Sequence, residues 1–92
     1  MKVVCVWKEN TEYARGVIDF LRDFEARTGK EIESLDPDTI EGEIFVRSRD
    51  ILEYPALVAV DDSGKVLQQW AGTPLPHIDE ISYYAQDKAV EM

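Results

Sequence analysis

Few side chains in this sequence are able to do covalent chemistry, since it holds one cysteine and one histidine. Cys5 stands between Val4 and Val6 in a short apolar run, which favours a small buried residue over a reactive thiolate. His77 follows Pro76 at the start of a predicted helix, with no cysteine or clustered carboxylates beside it, so it does not indicate a metal site. No nucleophile with a neighbouring base is visible along the chain.

Carboxylates come closest together at Asp36, Asp38 and Glu41. A calcium loop needs a glycine at its sharp turn and a glutamate as its last ligand, and this spacing provides neither. The three residues fit a turn and the start of a helix better. There is also no glycine-rich phosphate loop and no Ser-His-Asp set. We therefore predict no catalytic residue, no metal site and no cofactor.

Composition and charge narrow the class of protein. A length of 92 residues, 45% hydrophobic and 32% charged, predicts a single compact domain over residues 1–92. The formal net charge is −9, and residues 31–92 carry fourteen Asp and Glu against four Lys and Arg, which argues against nucleic acid as a partner. The first apolar run is too short for a signal peptide or a membrane span, and a lone cysteine is typical of a reducing compartment. We expect no membrane partner and a cytoplasmic location.

Strands and helices alternate along the chain. An apolar run up to Trp7 predicts a first strand, and apolar residues at helical spacing from Tyr13 to Phe24 predict a helix that stops at Thr28-Gly29, with Asn10 or Thr11 as its cap. Residues 31–35 alternate as a half-exposed strand. A shorter helix capped by Thr39 follows, and we expect its inner side to be Ile40, Ile44 and Phe45. The last helix is predicted over residues 78–89, with a tail that frays from about Asp87.

A proline-led hairpin is the most distinctive stretch of the sequence. Residues 57–60 form an almost unbroken apolar strand, residues 61–64 supply a turn, and residues 66–70 suit a returning strand. Pro55 has no N–H to give to a sheet, and a proline at such a place is often cis, where it fixes a tight turn that can face a ligand.

These elements predict an α/β fold in the order βαβαββα. A right-handed crossover makes the first two strands parallel neighbours, and the hairpin then runs antiparallel beside the first strand. The result is a four-stranded mixed sheet in the order 2-1-3-4 with three helices on its two faces. We expect the first and third helices on one face and the second on the other.

This arrangement resembles the thioredoxin and glutaredoxin superfamily over about residues 2–86. Trp7 matches the Trp that ends the first strand of thioredoxins, four residues before the first cysteine of their Cys-x-x-Cys motif. Lys8 and Tyr13 match a Lys before that cysteine and a Tyr before the second cysteine in glutaredoxins. The two cysteine positions then fall at Thr11 and Ala14. Tyr54-Pro55 looks like the hydrophobic residue and cis-proline of the family, and Gly72 lies where the family has a glycine after its fourth strand.

The missing thiols remove the redox chemistry that the resemblance would otherwise imply. In the family, a thiol at a helix N-terminus has a lowered pKa, and a second thiol one turn later resolves the mixed disulfide. Thr11 stays protonated and is a poor nucleophile without a base, while Ala14 has no group to resolve a disulfide. Cys5 aligns with the buried acidic residue of thioredoxins. These points argue against an enzyme without excluding one.

The resemblance also implies a binding site that needs no cysteine. In this family an extended peptide or the glutathione backbone pairs with the residue before the cis-proline, here Tyr54. N–H groups at the helix start, together with Lys8 and with Arg47 or Arg49, would receive a carboxylate. We call the predicted site the proline corner, and it consists of Lys8, Thr11, Tyr13, Ala14, Tyr54, Pro55 and Gly72.

Three functions stay open at this point. The favoured one is a non-catalytic module that binds an unidentified protein or peptide through the Tyr54-Pro55 face, or through an exposed aromatic side chain around Trp7, Tyr13 and Trp70. The second is glutathione binding, with Thr11 or Tyr13 donating a hydrogen bond to the sulfur, although so short a chain has no room for the helical domain that completes glutathione transferases. The third is residual thiol-disulfide chemistry through Cys5, which requires that thiol to be reachable.

Overall fold

The computed structural model of the protein describes residues 1–87. Four of its strands form one mixed sheet in the order β3-β1-β4-β5, which confirms the predicted topology, because β3, β4 and β5 are the predicted second, third and fourth strands. The elements in chain order are β1 (Lys2–Val6), α1 (Ala14–Thr28), β2 (Lys30–Glu31), β3 (Glu33–Leu35), α2 (Ile40–Ser48), β4 (Ala56–Val60), β5 (Val66–Ala71), α3 (Ile78–Ser82) and β6 (Gln86–Asp87).

The two most apolar strands, β1 and β4, lie in the middle of the sheet. β1 pairs in parallel with β3 and antiparallel with β4, and β4 pairs antiparallel with β5. All five residues of β4 are buried, as expected for a strand that is covered on both faces. The predicted hairpin turn closes where the Asp61 carboxylate accepts hydrogen bonds from the N–H groups of Ser63 and Lys65.

Alternate residues of the central strands build two cores, one on each face. On the first face, Val3 and Leu57 pack with Val17 and Phe24 of α1 and Ile81 of α3. On the second face, the core contains Val4, Val6, Val58 and Val60, against which Phe45 and Val46 of α2 pack. The helices therefore divide between the faces as predicted, since strand side chains alternate in direction.

The orientation of α2 differs from the prediction. Thr39 caps this helix as expected, with its Oγ1 accepting from the Gly42 N–H at 2.9 Å. The inner side is formed by Gly42, Phe45 and Val46, whereas the aliphatic side chains of Ile40 and Ile44 are 81% and 63% exposed. The reason is the close approach of the chain at Gly42, where a Cβ atom would collide with the backbone of Asp36. Only a residue without a side chain fits there, so the helix is rotated towards it.

A second, two-stranded sheet was missed by the sequence analysis. The predicted strand 31–35 is interrupted at Ile32, which packs on the first core, and β2 pairs with β6 through Lys30↔Asp87 and Glu31↔Gln86. The predicted last helix ends early, at Ser82, whose carbonyl accepts from Lys30 Nζ at 2.8 Å. Of the tail predicted to fray, Asp87 takes part in this pairing, and residues 88–92 lie outside the described residues. Within residues 1–87, no helix has the length and apolar character that crossing a membrane requires.

Candidate functional site

The proline corner lies at one end of the main sheet, where three strands meet. Val6 ends β1, Ala56 begins β4 and Ala71 ends β5, and the three residues are neighbours across the sheet. Pairing at this end therefore brings the loop from β1 to α1 next to Pro55 and Gly72. All seven predicted residues belong to these adjoining segments.

Lys8 contacts two segments of the proline corner, the start of α1 and the segment that precedes Pro55. Its N–H donates to the Tyr13 hydroxyl at 2.9 Å, and its carbonyl accepts from the Thr11 hydroxyl at 2.8 Å. Its ammonium group lies 5.5 Å from the centre of the Tyr54 ring and 3.6 Å from a carboxylate oxygen of Asp38. A cation over an aromatic face at this distance gains about 0.5–1 kcal/mol when exposed. Lys8 thereby links the helix start to the segment that precedes Pro55.

The start of α1 differs from the prediction. The N-cap is Tyr13, which provides no side-chain hydrogen bond, and neither Asn10 nor Thr11 caps the helix. The Thr11 hydroxyl is used for the Lys8 carbonyl, and the Thr11 carbonyl accepts from the Ala14 N–H at 3.3 Å. The N–H groups of residues 11–13 thus belong to the turn before the helix. Ala14, the first residue of α1, is buried.

The segment around Pro55 has its own hydrogen bonding. The Tyr54–Pro55 peptide bond is cis, and the Pro55 carbonyl accepts from the Gly72 N–H at 2.8 Å. Gly72 has a φ of 78°, in the left-handed region that favours glycine. Neither the N–H nor the C=O of Tyr54 has a hydrogen-bond partner among residues 1–87. Tyr54 is half-buried, and its main-chain donor and acceptor beside the proline are unpaired within residues 1–87.

Two residues at this site were missed by the sequence analysis. Leu52 lies two positions before Tyr54 in the chain, and its aliphatic side chain is 91% exposed. A leucine in a turn that leads into a proline is the signal that would have found it, because turns rarely need an aliphatic side chain. Asp38 comes close to Lys8 only through the fold, and no local pattern predicts such a contact.

The two arginines that were predicted to join the proline corner make their contacts elsewhere. Arg47 forms an ion pair with Glu43 one turn earlier in α2, at 2.8 Å. Arg49 donates from Nη2 to the Gly64 carbonyl at 3.0 Å, near the hairpin turn and at the opposite end of β4 from Pro55. The prediction that either arginine joins the proline corner is wrong, because α2 runs away from the corner towards the hairpin turn.

Cys5 lies inside the first core and not in the proline corner. Its side chain has no exposed surface, and burial raises the pKa of the thiol to about 12. The thiol is therefore fully protonated near neutral pH, which makes it a poor nucleophile. His77 is exposed at the N-cap of α3. Residues 1–87 contain no group of three or more His, Cys, Asp or Glu placed to hold a metal ion.

The chemistry available at the proline corner is hydrogen bonding and apolar contact. The corner offers the Tyr54 N–H and C=O, the Tyr13 hydroxyl and the Lys8 ammonium group. The Tyr13 oxygen accepts from Lys8, so its own proton is still available to a ligand. The Thr11 proton is already donated to the Lys8 carbonyl.

Comparison with solved structures identifies the fold. The structure is similar to that of thioredoxin 1 from the thermophilic eubacterium Thermosipho africanus TCF52B, with a TM-score of 0.64 and 14% sequence identity, over 91% of this chain and 89% of that one. No protein-family model matches the sequence, and no curated protein matches it. At so low an identity, the likeness establishes the fold alone.

Proposed function

Since the fold is thioredoxin-like, we propose that this chain is a non-catalytic module that binds an extended segment of a protein or peptide at the proline corner. The observation that carries the proposal is the unpaired backbone of Tyr54. An extended peptide laid beside it would form main-chain hydrogen bonds, as in recognition by strand addition. The exposed side chain of Leu52 would contact an apolar side chain of the same peptide.

The chemistry of the corner supports binding over catalysis. By the sequence resemblance, Thr11 and Ala14 would take the places of the family's two thiols, and the Thr11 hydroxyl donates to the Lys8 carbonyl. The sole thiol, Cys5, is buried and protonated. A disulfide exchange reaction needs a thiolate that reaches the substrate, and this arrangement supplies none at neutral pH.

The proposal is tested with peptides selected from a displayed random library against the native protein. Titrating a selected peptide into ¹⁵N-labelled protein should shift the amide signals of Leu52, Tyr54 and Gly72. Leu52→Ser should weaken binding roughly tenfold, because an aliphatic contact is lost. The matched control is Leu67→Ser, an exposed leucine on β5 near the hairpin turn, which should leave the affinity unchanged. Equal effects of the two variants, or shifts confined to other surfaces, would contradict the proposal.

The proposal that the protein does not catalyse disulfide reduction has a separate test. Insulin disulfides incubated with dithiothreitol and this protein should be reduced no faster than with dithiothreitol alone. Added turnover that disappears in Cys5→Ala would replace the binding proposal by residual thiol chemistry.

Glutathione binding is a second candidate, and the Tyr13 hydroxyl favours it. Because this oxygen accepts from the Lys8 N–H, it keeps a proton to donate to a ligand sulfur, whereas Thr11 does not. Titration of reduced glutathione should then shift the amides of Tyr13, Tyr54 and Gly72, and Tyr13→Phe should weaken the binding while Thr11→Val does not. Unchanged spectra at millimolar glutathione would exclude this candidate.

A further inference from the structure

The carboxylate of Glu53 lies at the proline corner, beside the end of β5. Glu53 directly precedes Tyr54 in the chain. Its carboxylate rests on Gly72, because a Cβ atom built on Gly72 would lie 2.5 Å from Oε2 and 3.4 Å from Oε1 of Glu53. Gly72 in turn donates its N–H to the Pro55 carbonyl at 2.8 Å. The Glu53 carboxylate therefore adjoins the backbone that pairs with the cis-proline.

No described cation neutralises Glu53. The side chain forms no ion pair and no hydrogen bond within residues 1–87. The ammonium group of Lys8 is already paired with Asp38 at 3.6 Å and lies 5.5 Å from the centre of the Tyr54 ring. Arg15, exposed in the first turn of α1, forms no ion pair with Glu53. The proline corner thus presents an exposed carboxylate without a partner of opposite charge.

Other carboxylates lie at the same end of the sheet. Glu9 and Asp36 line a cavity of about 170 Å³ together with Trp7 and Leu35. Leu35 is the strand neighbour of Val6, which ends β1 at the proline corner. The turns that precede α1 and α2 thereby bring negative charge next to the corner.

Carboxylates outnumber cations at this end of the molecule. Besides Glu53, the two turns and their first residues contribute Glu9, Glu12, Asp36 and Asp38. Against these five carboxylates stand Lys8 and Arg15. Arg49 and Lys65 do not offset them, because both contact the hairpin turn at the opposite end of β4. The surroundings of Glu53 are therefore negative, which favours a cation on any segment that binds there.

On the basis of the proposed function, we propose that Glu53 determines the specificity of the proline corner and selects basic segments. The partner is an extended segment of another protein that carries a Lys or Arg beside the residue paired with Tyr54. Its cation meets the Glu53 carboxylate next to Gly72, while its main chain bonds to the Tyr54 backbone. Opposite charge favours such a segment, and the same carboxylate disfavours acidic competitors.

The expected effect is a preference of moderate size. An ion pair that stays partly exposed to solvent contributes little, because water and salt screen it. A peptide with Lys facing Glu53 should therefore bind about three- to fivefold more tightly than the same peptide with Gln. The same peptide with Glu at that position should bind more weakly than either, since two carboxylates would then face each other.

The first test selects a displayed random peptide library on the native protein and on variants. Selected peptides that shift the amide signals of Tyr54 and Gly72 should be enriched in Lys or Arg at one position. This enrichment should disappear on Glu53→Gln, and Asp or Glu should be enriched on Glu53→Lys. The matched control is Glu31→Gln, which removes an exposed carboxylate from β2 and should select the same basic peptides as the native protein.

The second test measures the affinity of one selected peptide in which the enriched Lys is changed to Gln. The change should weaken binding about three- to fivefold with the native protein and with Glu31→Gln, and leave it unchanged with Glu53→Gln, because the two groups act as a pair. Rising sodium chloride should reduce the difference between the two peptides, since salt screens the pair. An equal loss with the native protein and with Glu53→Gln would overturn the role of Glu53.

Failure of this selectivity is distinguishable from failure of the proposed function. Selected peptides that shift Tyr54 and Gly72 but carry no excess of Lys or Arg would overturn the role of Glu53 and leave peptide binding at the proline corner in place. Selected peptides that shift neither signal would overturn both.

Discussion

At the scale of a single residue, burial determines the chemistry of Cys5. The side chain of this β1 residue lies within the first core, and burial raises the pKa of its thiol from the ordinary 9.0 to about 12. Because the thiolate is disfavoured in the folded protein, ionisation of this group favours unfolding. The stabilising contribution of the neutral thiol is complete below pH 9 and is lost as the pH rises towards 12.

We therefore expect the native protein to lose stability steeply in alkaline solution. Above pH 9, the ionisation of Cys5 should lower the free energy of unfolding by about 1.4 kcal/mol per pH unit. The measurement is the urea midpoint as a function of pH, compared with that of Cys5→Ala, which removes the thiol and leaves the other side chains unchanged. Parallel curves for the two proteins above pH 9 would contradict the raised pKa.

Tyr13 is expected to stabilise the proline corner through one hydrogen bond. Tyr13→Phe removes the acceptor of the Lys8 N–H, which should lower the free energy of unfolding by about 1 kcal/mol. Tyr83→Phe is the matched control, because that side chain is largely exposed and its hydroxyl has no hydrogen-bond partner among residues 1–87. Chemical denaturation of both variants measures the difference. Equal stabilities would mean that water replaces the bond at no cost.

At the scale of elements, the glycines of two helices differ in the space that surrounds them. Gly42 of α2 lies against the backbone of Asp36, whereas a Cβ atom at Gly16 of α1 would meet no atom within 4 Å. Both glycines have ordinary helical backbones, so an alanine differs between them only in what its methyl group meets. The comparison isolates packing from helix propensity.

Gly42→Ala should therefore destabilise the protein by about 2 kcal/mol or more, since neither the Asp36 backbone nor the helix can move without losing contacts. Gly16→Ala should stabilise it by about 0.5–1 kcal/mol, because alanine has the higher helix propensity. Thermal unfolding of the two variants provides the measurement. A destabilised Gly16→Ala would show that the outer side of α1 is not free.

The same elements show which parts of the fold can be predicted from the sequence and which cannot. The strand order follows from unbroken apolar runs in β1 and β4, a tight hairpin turn and the right-handed crossover, all of which are local or general rules. The rotation of α2 was mispredicted because Ile40 and Ile44 look like core residues, while the close approach at Gly42 involves a backbone atom that no pattern records. The β2–β6 pair likewise depends on two polar dipeptides far apart in sequence.

The seven residues of the proline corner were predicted from the family resemblance. They fall in segments that the sheet brings together at one end, and their role in binding stays a prediction. The capping of α1 was wrong because the Thr11 hydroxyl has a competing acceptor in Lys8, and sequence patterns do not rank competing acceptors. Asp38 was missed because its contact with Lys8 comes from another segment, whereas Leu52 was missed although an exposed leucine in a turn before a proline is a local signal.

For the molecule as a whole, acidity dominates the electrostatics. The six ion pairs among residues 1–87 all join exposed or largely exposed side chains, so each contributes little. A net charge of −9 on so small a chain produces general repulsion that favours expansion. Salt screens this repulsion beyond about 8–10 Å at physiological ionic strength.

We accordingly expect the protein to become more stable as sodium chloride rises from very low to physiological concentration. The urea midpoint at constant pH is the measurement, and Glu31→Gln combined with Asp79→Asn should show a smaller dependence because two exposed negative charges are removed. A midpoint that falls with salt would mean that the ion pairs outweigh the repulsion.

The position of Cys5 also sets when two of these chains can become covalently joined. With a single cysteine in the sequence, a disulfide can form only between two molecules, and the packed sheet keeps each thiol out of reach of the other. Under an oxidising agent, cross-linked pairs should therefore accumulate only from molecules that have opened. The yield of such pairs on a non-reducing gel would record how often the protein has unfolded.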